Sequence, residues 1–311
     1  MMRKIAFVFP GQGAQYVGMG KEFVENFKIA NDVFEKASNS LGYDMKKLCF
    51  EGPEEELKKT ENTQPAILTA SIASYEVLKE HGIEPKIVAG LSLGEFSALV
   101  ASKVMAFEDA VRVVKARGKY MQEEVPIGVG TMAAFIGLDR EKVIEACNRA
   151  SEFGVVEPAN FNSPIQIVIS GEVKAVEKAV KIGKELGAKK AKILKVSAPF
   201  HSSMLYGAGE KLAKELHKIE LNDFIYPVVA NVTADYYDSI SSVNELLVRQ
   251  VSNSVLWEDS VRKMILDGVN TFVEVGPGKA LSGFIKRISR DVQILNVEDM
   301  TSLEKALKAL A

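Results

Sequence analysis

With 311 residues, 47% of them hydrophobic and 26% charged, the chain can bury the core of one large domain or of a domain carrying an insertion. A formal net charge of −2 argues against a nucleic-acid binder, which needs a basic surplus. Two cysteines, Cys49 and Cys147, are too few for a disulfide framework and lack metal-ligand spacing, so both are expected as buried thiols in a reducing compartment, with no metal site.

The opening Met1-Met2-Arg3-Lys4 leads into only five apolar residues before Pro10-Gly11, too few for a signal peptide or a membrane span. No later run reaches membrane length, so a cytoplasmic protein without membrane contact is expected. Ile5-Ala6-Phe7-Val8-Phe9 reads as a fully buried strand. Amphipathic helices are predicted over residues 19–40 and 65–81, then a short strand at Ile87-Val88-Ala89-Gly90 and helices over 94–102 and 107–124. Further on, a helix is expected near 210–221, and Tyr226-Pro227-Val228-Val229-Ala230 and Thr271-Phe272-Val273-Glu274-Val275 look like buried strands. Strands alternating with helices predict an α/β fold with a parallel sheet covered on both faces.

The middle of the chain has a different rhythm. Strands at 131–138, 155–161, 166–171 and 191–196 alternate with helices at 139–151 and 173–187. That β-α-β-β-α-β order is the signature of a split, ferredoxin-like unit. Pro126-Ile127-Gly128-Val129-Gly130 reads as a hinge into it and Ala198-Pro199 as the exit. The expected division is a large α/β core from 1–125 and 198–311, with a small ferredoxin-like subdomain at 126–197.

Between the second predicted strand and its helix lies Gly90-Leu91-Ser92-Leu93-Gly94, a G-x-S-x-G elbow. A serine on so tight a turn projects its hydroxyl above the sheet, and the following N–H, that of Leu93, points where an oxyanion would form. Such a nucleophile needs a base, and the sequence holds three histidines. His81 precedes Gly82 at a helix end, where histidine suits the carboxyl terminus. His217 sits beside Lys214 and Lys218 on a solvated face. That leaves His201, in the loop Ala198-Pro199-Phe200-His201-Ser202-Ser203, as the candidate base. An α/β-hydrolase would place its histidine near the carboxyl terminus, and here none follows His217.

The helix predicted over 107–124 carries an arginine on its apolar side. Ala110, Val113, Val114, Gly118 and Met121 form the stripe, and Arg117 falls on it, whereas Arg112, Lys115 and Lys119 lie on the polar face. A guanidinium directed inward needs an anion: either a structural carboxylate or a carboxylate on a ligand, gripped bidentately. Gly11-Gln12-Gly13 lacks the third glycine of a dinucleotide loop, its position being Tyr16, and Gly276-Pro277-Gly278-Lys279 reads as a strand-to-helix turn.

In chain order the sequence shows Phe9-Pro10-Gly11-Gln12-Gly13-Ala14-Gln15, Thr63-Gln64-Pro65-Ala66, the Ser92 elbow followed by Glu95, and Arg117-Gly118 with Met121-Gln122. Asn160-Phe161-Asn162-Ser163-Pro164, Phe200-His201-Ser202 and Glu274-Val275-Gly276-Pro277-Gly278 follow. With these seven ordered motifs the chain closely resembles the malonyl-CoA:acyl carrier protein transacylase family, related to the acyltransferase domains of fatty-acid and polyketide synthases. The resemblance runs from Ile5 to about Lys286 and implies a hydrolase-like core with an inserted ferredoxin-like subdomain.

It also implies roles. Ser92 would attack a thioester, His201 would take and return its proton, and the N–H groups of Gln12 and Leu93 would form the oxyanion hole. Arg117 would grip the malonyl carboxylate, with Gln64, Asn162, Met121 and Phe200 around the substrate. A bulky Phe200 would leave little room for an α-branch, and the backbone carbonyl of Gln250 would orient the histidine. The implied substrate is malonyl-CoA, the implied partner an acyl carrier protein, and no cofactor is implied; a monomer is expected. Lys189, Lys190, Lys192, Lys195, Lys286, Arg287 and Arg290 are candidate contacts for an acidic carrier. The family usually has histidine just before the nucleophile, where this chain has Leu91, so any hydrogen bond of that histidine is not expected here. The alternative from the elbow alone is a serine esterase or thioesterase.

Overall fold

The computed structural model describes residues 3–196 and 198–310. The expected last residue of the insert, Ser197, lies outside the described residues, as do Met1, Met2 and Ala311. Five strands form one parallel sheet: β1 (Ile5–Phe9), β2 (Ile87–Gly90), β7 (Val228–Val229), β8 (Thr271–Val275) and β9 (Gln293–Val297). Their order is β7-β2-β1-β8-β9. The unbroken apolar run of β1 follows from burial on both faces. Phe7 and Phe9 pack with Val88 and Val273 against one layer of helices, while Ala6 and Val8 pack with Ile87, Phe272 and Trp257 against the other.

Between β2 and β7 the chain builds a second, antiparallel sheet from β3 (Gly130–Ile136), β4 (Val156–Ser163), β5 (Gln166–Glu172) and β6 (Lys190–Ile193), ordered β4-β5-β3-β6. This is the ferredoxin-like order. Helices Arg140–Ala150 and Val173–Glu185 cover one face, where Ala133, Phe135, Ile167 and Ile169 form a separate core. The alternate residues Met132 and Val168 turn to the other face and join the core of the large sheet. Hydrogen bonds and an ion pair tie the unit to the rest of the chain. Phe161 N–H donates to Val255 O at 2.9 Å and Val255 N–H to Ala159 O at 2.8 Å, and Arg140 pairs with Asp259 at 2.5 Å.

Several elements differ from the sequence reading. The helix expected over 19–40 is two, Lys21–Asn26 and Lys28–Leu41, because Phe27 is extended and packs its ring edge-on against Phe23 and His81. The helix expected from Pro65 starts five residues earlier, as Thr60–Glu80, so Gln64 lies on a helix rather than in the loop before one. Only Val228–Val229 pairs in the strand expected at 226–230: Pro227 has no N–H to give, and Tyr226 N–H is taken by Ser102 Oγ at 3.1 Å. The strand β9 has no counterpart in the sequence reading; as a half-buried sheet edge it lacks the apolar run of the inner strands. Among the described residues no helix is long and apolar enough to cross a membrane.

Candidate active site

The elbow is a backbone device. Ser92 sits at φ 54°, ψ −106° between β2 and helix Leu93–Ala101, a conformation that raises its hydroxyl above the carboxyl edge of the sheet. A Cβ on Gly90 would lie 2.0 Å from the Gly94 carbonyl, and one on Gly94 would lie 2.1 Å from Phe9 O, so neither position tolerates a side chain. Asn231 then clamps the turn. Its Oδ1 accepts the Ser92 N–H at 2.6 Å while its Nδ2 donates to Gly90 O at 2.7 Å.

Ser92 Oγ is 2.7 Å from His201 Nε2, and His201 Nδ1 is 2.8 Å from the Gln250 backbone carbonyl. A carbonyl only accepts, so Nδ1 carries the proton and Nε2 presents its lone pair to the serine. His201 is itself in the left-handed region, at φ 59°, after Pro199. Burial, then the neighbouring Arg117, push its pKa down to about 4, so the ring is neutral at physiological pH.

Arg117 is 1% exposed, on the inner side of helix Phe107–Glu123. Its Nη1 donates to Gln64 Oε1 at 2.9 Å, and its Nη2 to Gln250 Oε1 at 2.8 Å and Ser92 Oγ at 3.1 Å. The guanidinium lies over the Phe96 ring, 5.5 Å from the centroid. Burial lowers its pKa to about 10, with Glu95 partly offsetting, which leaves it charged. Among the described residues no carboxylate lies within ion-pairing distance, and Nε has no hydrogen-bond partner. The structural-carboxylate alternative is therefore not met.

These groups face one cavity of about 760 Å³ between the two sheets. Gln12, Gln64, Ser92, Leu93, Arg117, Met121, Asn162, Phe200 and His201 all line it; Gln250 stands behind the wall, fully buried. Gln64 is steadied by Met121, whose sulfur lies 3.8 Å from Nε2, and Asn162 Oδ1 is buried without a partner. Leu91 also lines the cavity. His81 and His217 lie away from it, each turning Nδ1 to a carbonyl of its own helix, Val77 O at 2.8 Å and Ala213 O at 2.6 Å. Glu274 caps the helix Ala280–Ile288 by accepting from Leu281 and Ser282 N–H at 3.1 and 2.7 Å, which makes the glycine turn after it a strand-to-helix connection.

Sequence reasoning missed three contributors. Asn231 and Tyr237 were not singled out, and Glu95 stood only as a letter in a motif. The signal that was available is a polar residue directly after an apolar strand, as Asn231 follows Val228-Val229-Ala230.

The acyl transferase domain family matches residues 6–306. The malonyl CoA-acyl carrier protein transacylase of Bacillus subtilis is 46% identical over 310 residues, covering 99% of this chain and 98% of its own. The crystal structure of malonyl CoA-acyl carrier protein transacylase from Clostridium perfringens has a TM-score of 0.96 at 52% identity, over 99% of this chain and 97% of that one. A malonyl-transacylase solved in complex with its type II PKS acyl-carrier protein has a TM-score of 0.96 at 44% identity, over 98% and 99%. Kinship of this extent covers the sheet, the inserted unit and the cavity between them, and the chain belongs to the malonyl CoA-acyl carrier protein transacylase family, whose members carry the acyl transferase domain.

Proposed function

We propose that the chain transfers a malonyl group from malonyl-CoA to the phosphopantetheine thiol of an acyl carrier protein, through a malonyl ester on Ser92, as a step of fatty-acid biosynthesis. The observation that carries this reading is Arg117: a buried cation without an ionic partner, with Nη2 3.1 Å from the nucleophile. A carboxylated acyl group on Ser92 would bring the missing anion.

In this reading His201 Nε2 takes the Ser92 proton as Oγ adds to the thioester carbonyl. The oxyanion is held by the N–H groups of Leu93 and Gln12. Leu93 opens its helix, where the first N–H groups have no intrahelical acceptor and the dipole favours negative charge. Collapse breaks the carbon–sulfur bond, and His201 returns the proton to the departing thiolate of coenzyme A. The carrier's thiol then gives its proton to His201 and attacks the ester, and Ser92 leaves with that proton. No cofactor enters either half, and we propose that the protein acts as a monomer. Phe200, 8% exposed, narrows the cavity against an α-branched acyl group. Buried free Cys49 and Cys147 support a cytoplasmic setting. We assign 1–125 and 198–311 to the catalytic core and 126–197 to the insert.

The deciding experiment is to trap the acyl-enzyme. Malonyl-CoA should add one malonyl mass to Ser92, and carrier thiol should remove it faster than water does; loss to water alone would mark a thioesterase.

The depressed pKa of His201 gives a pH test. A base held near 4 stays neutral across the window where an ordinary histidine, at 6.5, would protonate. Malonyl loading of Ser92 should therefore hold its rate well below pH 6.5, with its acid limb close to pH 4. Between pH 6.5 and 4 the folded state also binds fewer protons than the unfolded one, so the contribution of His201 to stability is present above 6.5 and lost as pH falls to 4. A rate limb centred at 6.5 or higher would contradict the buried, arginine-flanked setting.

For the carrier we propose contact with Lys189, Lys190, Lys192 and Lys195, on and beside β6, and with Lys286, Arg287 and Arg290 at the end of helix Ala280–Ile288. All seven are exposed, none is ion-paired among the described residues, and Lys195 borders the cavity. Reversing Lys190 and Lys192 to glutamate should slow transfer to the carrier and flatten its salt dependence. Carrier transfer unchanged in rate and salt response would remove the β6 lysines from carrier contact.

A further inference from the structure

Beneath the elbow lies a buried polar cluster that the transfer reading leaves unused. Glu95, 1% exposed, is one turn into the nucleophile's helix. Its Oε1 accepts from the Tyr237 hydroxyl; its Oε2 accepts from Gln250 Nε2 at 2.5 Å and from Asn231 N–H at 3.2 Å. Among the described residues no cation lies within ion-pairing distance of it. Gln250 passes the contact on: Nε2 also donates to Ser92 O at 2.9 Å, and Oε1 accepts from Arg117 Nη2 at 2.8 Å.

We propose that Glu95 is a positioning residue for Arg117, a buried acceptor that fixes the Gln250 side-chain amide and through it the guanidinium that selects a carboxylated acyl group. The proposal rests on the malonyl-transfer reading and names what holds its arginine in place.

An amide side chain has a donor end and an acceptor end, and a flip exchanges them. Flipped, Gln250 would turn its NH₂ toward the guanidinium, donor against donor at a fully buried side chain. Ser92 O favours the unflipped form, but as a neutral carbonyl. A carboxylate accepts only and makes the stronger, charge-assisted bond, so Glu95 is the main restraint on the amide. The same Oε2 holds Asn231 N–H, and Asn231 Oδ1 holds the Ser92 N–H, so one carboxylate tethers both the arginine and the elbow. Burial raises the Glu95 pKa to about 7, against the donors from Tyr237, Gln250 and Asn231 and the charge of Arg117. A proton on the Tyr237 side would leave Oε2 an acceptor, so the restraint is a matter of hydrogen-bond direction before it is one of charge.

That distinction sets the test: loading of Ser92 by malonyl-CoA and by acetyl-CoA, read by intact-protein mass spectrometry, in Glu95→Met and Glu95→Gln. Methionine fills a similar volume without a strong acceptor; glutamine keeps a carbonyl at the Oε2 position. The malonyl-to-acetyl loading ratio should fall at least about tenfold in E95M, as expected for losing a hydrogen bond to a charged group, and stay within about threefold in E95Q. General damage to the fold slows both acyl groups alike and leaves the ratio unmoved. An unchanged ratio in folded E95M, or an equal collapse in both variants, overturns the proposal. Should E95M fail to fold, Gln250→Met removes the side-chain amide through which Glu95 acts and keeps the backbone carbonyl that His201 needs: it should lower the ratio in the same direction, and an unchanged ratio there overturns the proposal equally. Wild-type protein that takes up no malonyl on Ser92 would instead sink the transfer reading, so the two failures are separable.

Discussion

Alanine at position 92 should remove malonyl transfer almost entirely, by about 10⁴- to 10⁶-fold, the range found when a serine nucleophile is deleted from a catalytic unit. The geometry gives no substitute. Among the described residues Ser92 Oγ is the one hydroxyl set against His201 Nε2, and it owes its place to the elbow between β2 and its helix. Asn231 binds the backbone N–H of residue 92 rather than its side chain, so the turn should survive and the protein should melt close to wild type. Intact mass after incubation with malonyl-CoA should show no acyl adduct. Residual transfer above about one part in a thousand, or an adduct on another residue, would mean that the nucleophile lies elsewhere.

Ser92, His201 and Arg117 were legible in the sequence for three different physical reasons. The elbow announces itself because glycines at 90 and 94 are demanded by close backbone approach within five residues, a local constraint. His201 was reached by elimination, since His81 had a helix-end explanation and His217 a solvated face, and the structure places both away from the cavity. Arg117 stood out because a charge on an apolar stripe breaks a periodic pattern. What could not be read is how the polar groups meet. Gln64, Gln250 and Glu95 come from three separate helices and Asn231 and Tyr237 from the loop after β7, and their contacts exist only once the sheet order has brought those four stretches together. The fold shows the same split. Inner strands with unbroken apolar runs were visible; the edge strand β9 and the extended Phe27 were not, because neighbours rather than local pattern decide them.

Arginine 117 carries the second large effect, and on selectivity rather than on turnover as such. Arg117→Ala should lower malonyl loading relative to acetyl loading by roughly 30- to several hundred-fold, the equivalent of about 2–4 kcal/mol for a desolvated, charge-assisted contact. Acetyl has no carboxylate to lose, so its loading should change far less. The stability cost should be smaller than the burial of the side chain suggests. Deleting the guanidinium leaves Gln64 Oε1 and Gln250 Oε1 short of a donor, but it also relieves a desolvated cation with no ionic partner. Water entering the enlarged cavity can satisfy both oxygens. Arg117→Lys separates charge from shape: a single ammonium restores attraction to malonate but cannot reach Gln64, Gln250 and the acyl group together as a planar fork does, so its ratio should fall between alanine and wild type. A malonyl-to-acetyl ratio unchanged in the alanine variant would remove the arginine from substrate recognition, and the buried guanidinium would then need another counter-charge to explain it.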